Sequence, residues 1–272
     1  MKKKLLSILA CSLLFGSLSS IPIFAAEETV IDQQVLYDEN NIKITATGFR
    51  GDEIFGPEVS VFVENNSDKS ITVQPRKGCV NGYMSNFQMS SDVAPGKKAN
   101  DSITIMEDLE KIGVDTIAQL ECSFTIFDSS TYDTIVDTEI IPIVTNLSDD
   151  YVQEYKSEGT VLFDSDGIKI VSKGIAEDEI WGPELILYIE NNTNKFITVQ
   201  PRDTSINGFM VNPSMSSEIT PGKKIVDGLT FFSSALEENG ISEISDIETS
   251  FEIFDSDTYD TIINTGALSL TF

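Results

Sequence analysis

Histidine is absent from this 272-residue chain, tryptophan occurs once, and cysteine and arginine occur three times each. Without histidine, the commonest general base and the commonest transition-metal ligand are both missing, so imidazole catalysis and imidazole metal sites are excluded. Basic residues are scarce: 18 Lys and Arg stand against 44 Asp and Glu, a formal net charge of −26. A surface of that sign repels phosphate backbones and anionic lipid, which argues against nucleic-acid binding and polybasic membrane attachment. It serves solubility outside a cell, or alternatively attracts a cation or a basic partner. Past the N-terminus no apolar run is long enough to span a bilayer. Paired carboxylates and Ser–Lys arrangements are compatible with the composition. Yet no spacing singles out one pair, and no nucleophile elbow, phosphate loop or metal signature occurs. The expectation is a non-enzymatic protein with no catalytic residue and no cofactor.

What is present begins with a secretory signature. Lys2, Lys3 and Lys4 precede an apolar run from Leu5 to Phe15, helix-breaking residues follow, and Ala25-Ala26 offers small residues before Glu27. This layout predicts a signal peptide over residues 1–26 and export of the remainder. Its removal leaves 15 basic and 44 acidic residues, a net charge of −29. Ile8-Leu9-Ala10-Cys11 faintly resembles a lipoprotein processing site. The apolar stretch before Cys11 is very short and continues past it, which argues against lipid modification.

The rest is written twice. Asp52-Glu53-Ile54-Phe55-Gly56-Pro57-Glu58 returns as Asp178-Glu179-Ile180-Trp181-Gly182-Pro183-Glu184, and Ile71-Thr72-Val73-Gln74-Pro75-Arg76 as Ile197-Thr198-Val199-Gln200-Pro201-Arg202. Asn81-Gly82 matches Asn207-Gly208, and Pro95-Gly96-Lys97-Lys98 matches Pro221-Gly222-Lys223-Lys224. Two long copies indicate a duplicated domain, not a solenoid of short units. The predicted layout is a first β-sandwich over residues 33–145, an acidic linker over 146–158, and a second β-sandwich over 159–272. Within each copy, alternating runs such as Ile42–Thr47 and Val59–Val63 read as strands. Asn65-Asn66 and Asn191-Asn192 read as hairpin turns, and Asp166-Gly167 as another. One short helix fits near Asp108–Ile112 and one near Ser234–Asn239, with Gly113 and Gly240 placed for left-handed caps. Phe124, Ile126, Phe251 and Ile253 should point inward. The fold class is all-β: two antiparallel sandwiches, each with one short helix.

Asn-Asn-Ser/Thr after a strand, then Pro-Gly-Lys-Lys before Ile-Thr-Ile or Leu-Thr-Phe, resembles secreted bacterial immunoglobulin-like domains of uncharacterised function. The resemblance implies a tandem immunoglobulin-like sandwich and export. It carries no catalytic residues to transfer.

Three sets of residues are candidates for more than packing. Cys79 and Cys122 are both replaced in the second copy, by Ser205 and Thr249, so they form either a disulfide or two separate buried thiols. Asp255, Asp257 and Asp260 offer part of a Ca²⁺ ligand set, though the same residues suit a metal-free turn, the preferred reading. Arg76 and Arg202 recur at one position in an arginine-poor chain. Each is expected to pair with a carboxylate near the aromatic turn, chosen from Asp52, Glu53 and Glu58 or from Asp178, Glu179 and Glu184. On that reading Phe55 and Trp181 plug the sandwich ends; otherwise ring and arginine form an exposed binding patch. The function expected is binding or display at the cell envelope or outside the cell, with an unidentified partner. The alternatives are an envelope spacer or a calcium-stabilised module.

Overall fold

The computed structural model describes residues 28–51, 56–178 and 180–272. The expected signal peptide with Cys11, and Asp52, Glu53, Phe55 and Glu179, lie outside the described residues.

The first half runs β1 (Gln34–Glu39), β2 (Ile42–Arg50), β3 (Glu58–Asn65), β4 (Ile71–Val80), β5 (Tyr83–Met84), β6 (Phe87–Gln88), β7 (Ser91–Val93), β8 (Lys97–Ile105), α1 (Leu109–Ile112), β9 (Gln119–Asp128), β10 (Thr134–Asp137) and β11 (Ile141–Val144). The second runs β12 (Thr160–Ser165), β13 (Ile168–Ala176), β14 (Glu184–Asn191), β15 (Ile197–Ile206), β16 (Phe209–Met210), β17 (Ser217–Ile219), β18 (Lys224–Thr230), α2 (Ser233–Glu238), β19 (Asp246–Asp255), β20 (Thr261–Asn264) and β21 (Leu268–Thr271). Three sheets result, ordered β1-β2-β3-β8-β6, β10-β9-β4-β5-β18-β14-β13-β12 and β16-β15-β19-β20, with β7, β11, β17 and β21 attached at the sides. The middle sheet draws strands from both halves.

Alternation decides which face of each strand is buried. In β3, Val59, Val61 and Val63 are buried while Ser60, Phe62 and Glu64 are only partly covered. Ile44, Val61 and Ile103 of the first sheet meet Val73, Phe124 and Ile126 of the second in one apolar cluster. Ile170, Leu187 and Leu229 meet Val199, Phe251 and Ile253 in another. The inward positions expected of Phe124, Ile126, Phe251 and Ile253 are observed. Full burial of one such side chain stabilises by about 1.5–3 kcal/mol.

Turn chemistry fixes where strands reverse. Asp166 and Gly167 both have positive φ, 53° and 79°, closing the β12–β13 hairpin in the primed geometry that matches strand twist. The Asn65-Asn66 and Asn191-Asn192 segments do not form the expected hairpins. β3 pairs with β2 and β8, whereas β4 pairs with β5, β7 and β9, so the chain crosses from one sheet to another here. The crossing is pinned by Asn65, whose buried amide donates to the Lys69 and Val93 carbonyls at 2.7 and 2.8 Å. Asn191 does the same with Lys195 and Ile219.

Residues 146–158 do not hang free between the halves. The Tyr155 hydroxyl donates to the Asn81 carbonyl at 3.1 Å, and its ring meets Tyr83 edge-on at 5.3 Å. Lys224 lies 4.1 Å above that ring, and its backbone N–H donates to the Gly82 carbonyl at 3.0 Å. That bond accompanies the parallel pairing of β5 with β18. Among the described residues no helix is long and apolar enough to cross a membrane.

Candidate functional site

Among the described residues, the most exposed aromatic–aliphatic pair on a built turn lies between β13 and β14. Ile180 is 78% exposed and Trp181, the single tryptophan, 61%. The turn is held firmly beneath them. Asp178 accepts from the backbone N–H groups of Ile180 and Trp181 at 2.8 and 2.7 Å, and those amides hold its carboxyl below the usual range. Ser233 donates its N–H to the Trp181 carbonyl at 3.0 Å, tying the turn to α2. Gly182 closes the turn at φ 117°, where an added Cβ would stand 2.4 Å from the Phe231 carbonyl oxygen. A large side chain is thus presented outward on an ordered support.

Beside this turn is a groove of about 520 Å³ of mixed character, lined by Ile175, Pro183, Leu236, Ile241, Ile244 and Phe272 together with Glu177, Ser242 and Glu243. The first half has the corresponding place closed. There the Thr29 hydroxyl donates to the Ile117 carbonyl at 2.7 Å, Ile31 is buried, and Val30 and Asn146 exchange hydrogen bonds. The matching lead-in to the second half, around Tyr155, is drawn to the first half instead. Its groove is therefore left open.

Among the described residues Arg76 and Arg202 meet other groups than the expected Glu58, Asp178 and Glu184. Arg202 binds Glu252, with Nη2 2.7 Å and Nε 3.0 Å from the carboxylate; the hydrogen bond from Thr261, and then Arg202, hold the acid below the usual carboxylate range. Arg76 instead donates to Gln74 at 2.6 Å and to the Pro75 carbonyl at 3.3 Å. Glu58 pairs with Arg50 at 2.5 Å, and Glu184 accepts from Thr230 at 2.9 Å. The reason is topological. Arg76 and Arg202 lie on β4 and β15, while Glu58 and Glu184 lie on strands of other sheets. Position 252 corresponds to Thr125 in the first half, so Arg76 lacks the acid that Arg202 finds. The ring and the arginine therefore do not form one patch in the second half.

The disulfide is also corrected, since Cys79 and Cys122 are free and buried. Cys79 is opposite Glu121 on β9, so Cys122, one residue on, faces the other side of the sheet. Burial pushes both thiols up to about 12. Asp255, Asp257 and Asp260 are not drawn together, and no cluster of three metal-ligating side chains occurs among the described residues. Asp255 is engaged by Lys195 at 3.0 Å and by the N–H groups of Asp257 and Thr258. Asp260 accepts from the Thr258 hydroxyl at 3.0 Å.

Sequence reasoning missed the groove and the contact between halves. The only signal for the contact was the set of tyrosines in the 146–158 segment.

No family model matches the chain, and no curated protein matches it. Among solved structures it is similar to the crystal structure of the YadV chaperone, at 12% identity and a TM-score of 0.27, over 85% of this chain and all of that one. A likeness so slight carries no argument.

Proposed function

We infer that this chain is a non-enzymatic exported protein. On this reading its two immunoglobulin-like modules stand in tandem after a signal peptide and bind at the cell envelope or outside the cell. The binding element is the β13–β14 turn of the second module with the groove beside it. The observation that carries this reading is Trp181, exposed on a turn that Asp178, Gly182 and Ser233 hold in place. Exposed aromatics on rigid supports are the commonest anchors of protein contacts. The acidic surface suits such a role by keeping the protein soluble and by favouring a neutral or basic target.

Trp181 also supplies the test, because its fluorescence reports its own environment. Cosedimentation of the chain from Glu27 with purified cell envelopes is expected, with a blue shift on binding. Trp181→Ala should abolish binding without lowering the melting temperature. Binding that survives this change would remove the site from the reading. An absence of binding would leave the spacer reading, which the fusion of both halves into one middle sheet favours.

A further inference from the structure

The contact between the two halves uses each of its surfaces once and leaves one of each unused. The donor edge is β5. Tyr83 is fully buried there and Met84 is 8% exposed, because both are covered by the second half. At the equivalent edge of the second half, β16, Phe209 is 48% and Met210 66% exposed. The acceptor face lies on β14 and β18. Tyr188 stands opposite Val226 and is fully buried, meeting Tyr83 edge-on at 6.4 Å. On the equivalent strands β3 and β8, Phe62 stands opposite Asn100 and both are reachable by solvent.

One ion pair of the rim is repeated as well. Lys223 bonds Glu121 across the contact at 2.6 Å. Their counterparts Lys97 and Glu248 are both exposed and have no ion-pair partner among the described residues. Lys224 meets the β5 edge by backbone pairing, whereas the outer edge of β8 has no partner strand from Lys97 to Ile103 among the described residues.

We propose that a second copy of this chain docks on these two surfaces: β16 of one molecule lies along β8 of the next, repeating the contact made inside each molecule. Phe209 then covers Phe62, and Glu248 meets Lys97. Donor and acceptor are different surfaces, so the association is head-to-tail and grows as an open series or a ring, not as a two-fold dimer. Several positions make the contact weaker between molecules than within one: Asp203 and Ser70 stand where Lys77 lies 4.2 Å above the Phe196 ring, and Thr29, tied to Ile117, stands where Tyr155 enters the internal contact. Ala99 and Asn100 stand where β18 has Ile225 and Val226, so less apolar surface is covered. Inside the chain, the short connection supplies an effective concentration near about 1 mM, which separate molecules must reach by crowding at a surface.

The test is sedimentation of the chain from Glu27, from micromolar levels to about 1 mM. About 0.15 M salt holds the screening length near 8 Å and limits the general charge repulsion. The average mass is expected to rise with concentration past the dimer. Met210→Glu and Asn100→Glu, both at exposed positions, should each give monomers with unchanged melting temperature. A 1:1 mixture of the two variants should stop at a dimer, because each contributes one intact surface. Ala99→Ile with Asn100→Val should shift association to at least tenfold lower concentration. A native chain that stays monomeric at the highest concentration overturns the proposal. Association that Met210→Glu leaves intact does so too, as does a variant mixture that remains monomeric.

Discussion

Cys79 and Cys122 lie one register step apart on the adjacent strands β4 and β9, yet point away from each other. Cys122 enters the apolar cluster of the first half, while Cys79 joins that of the second, together with Met84. The two thiols therefore mark the two faces of one sheet, and the face carrying Cys79 is where the halves meet. Glu121 shares that face with Cys79 and bonds Lys223 from the other half.

Thiol chemistry follows from this placement. With both thiols held up to about 12, their thiolate fraction at about pH 8 is negligible. Mass spectrometry after iodoacetamide treatment of the chain from Glu27 should show no adduct in the native protein and two in concentrated urea. A native loss of two protons, marking a bridge, contradicts the structure.

The contact between halves can be read from two glycines with matching backbone. Gly82 and Gly208 have φ of 85° and 80°. An alanine Cβ at Gly82 would stand 2.3 Å from the Tyr155 hydroxyl oxygen, whereas at Gly208 nothing lies within 4 Å. Both alanine variants carry the left-handed strain of about 1–2 kcal/mol. Gly82→Ala should lose a further ~1–3 kcal/mol from the overcrowded contact, and its radius of gyration by X-ray scattering should increase. Equal losses in the two variants would mean that Tyr155 is not docked in solution.

Acid should loosen the Asp128 and Asp255 turns together. Asp255 is held below the usual carboxylate range by its hydrogen bond from Lys195, with backbone N–H groups adding to it, and Asp128 chiefly by the Ser130 N–H and then Lys69. A carboxyl depressed in the folded state contributes stability above its unfolded pKa and loses it as pH falls through the folded value. Asp255→Asn should therefore lower the melting temperature at neutral pH and flatten its fall in acid. Identical acid slopes for variant and parent would show that this turn is not a determinant.

Asn65 should matter more than its polar character suggests. Its amide satisfies two buried carbonyls where the chain crosses between sheets. Asn65→Ala leaves those groups orphaned, at about 1–3 kcal/mol for each one lost. Denaturant unfolding should show that loss, with Asn66→Ala, at an exposed position, nearly neutral.

Much of the architecture was legible in the sequence because its causes are local. Period-two alternation placed Phe124, Ile126, Phe251 and Ile253 inside, and Asp166-Gly167 closed its hairpin, because a strand's two faces and a turn's positive φ depend on neighbouring residues alone. Where a cause lies far along the chain, local reasoning went astray. Asn65-Asn66 read as a hairpin because the sequence does not say whether the next strand pairs with the last or crosses to another sheet. Arg202 meets Glu252 and not Glu184 for the same reason, since retention of a carboxylate near the aromatic turn in both copies does not place it in the arginine's sheet. Tertiary structure alone decided that the middle sheet joins the halves and that Tyr83 is covered while Phe209 is not. Those outcomes depend on how two nearly identical surfaces are shared out in space, and no periodicity within either copy contains that information.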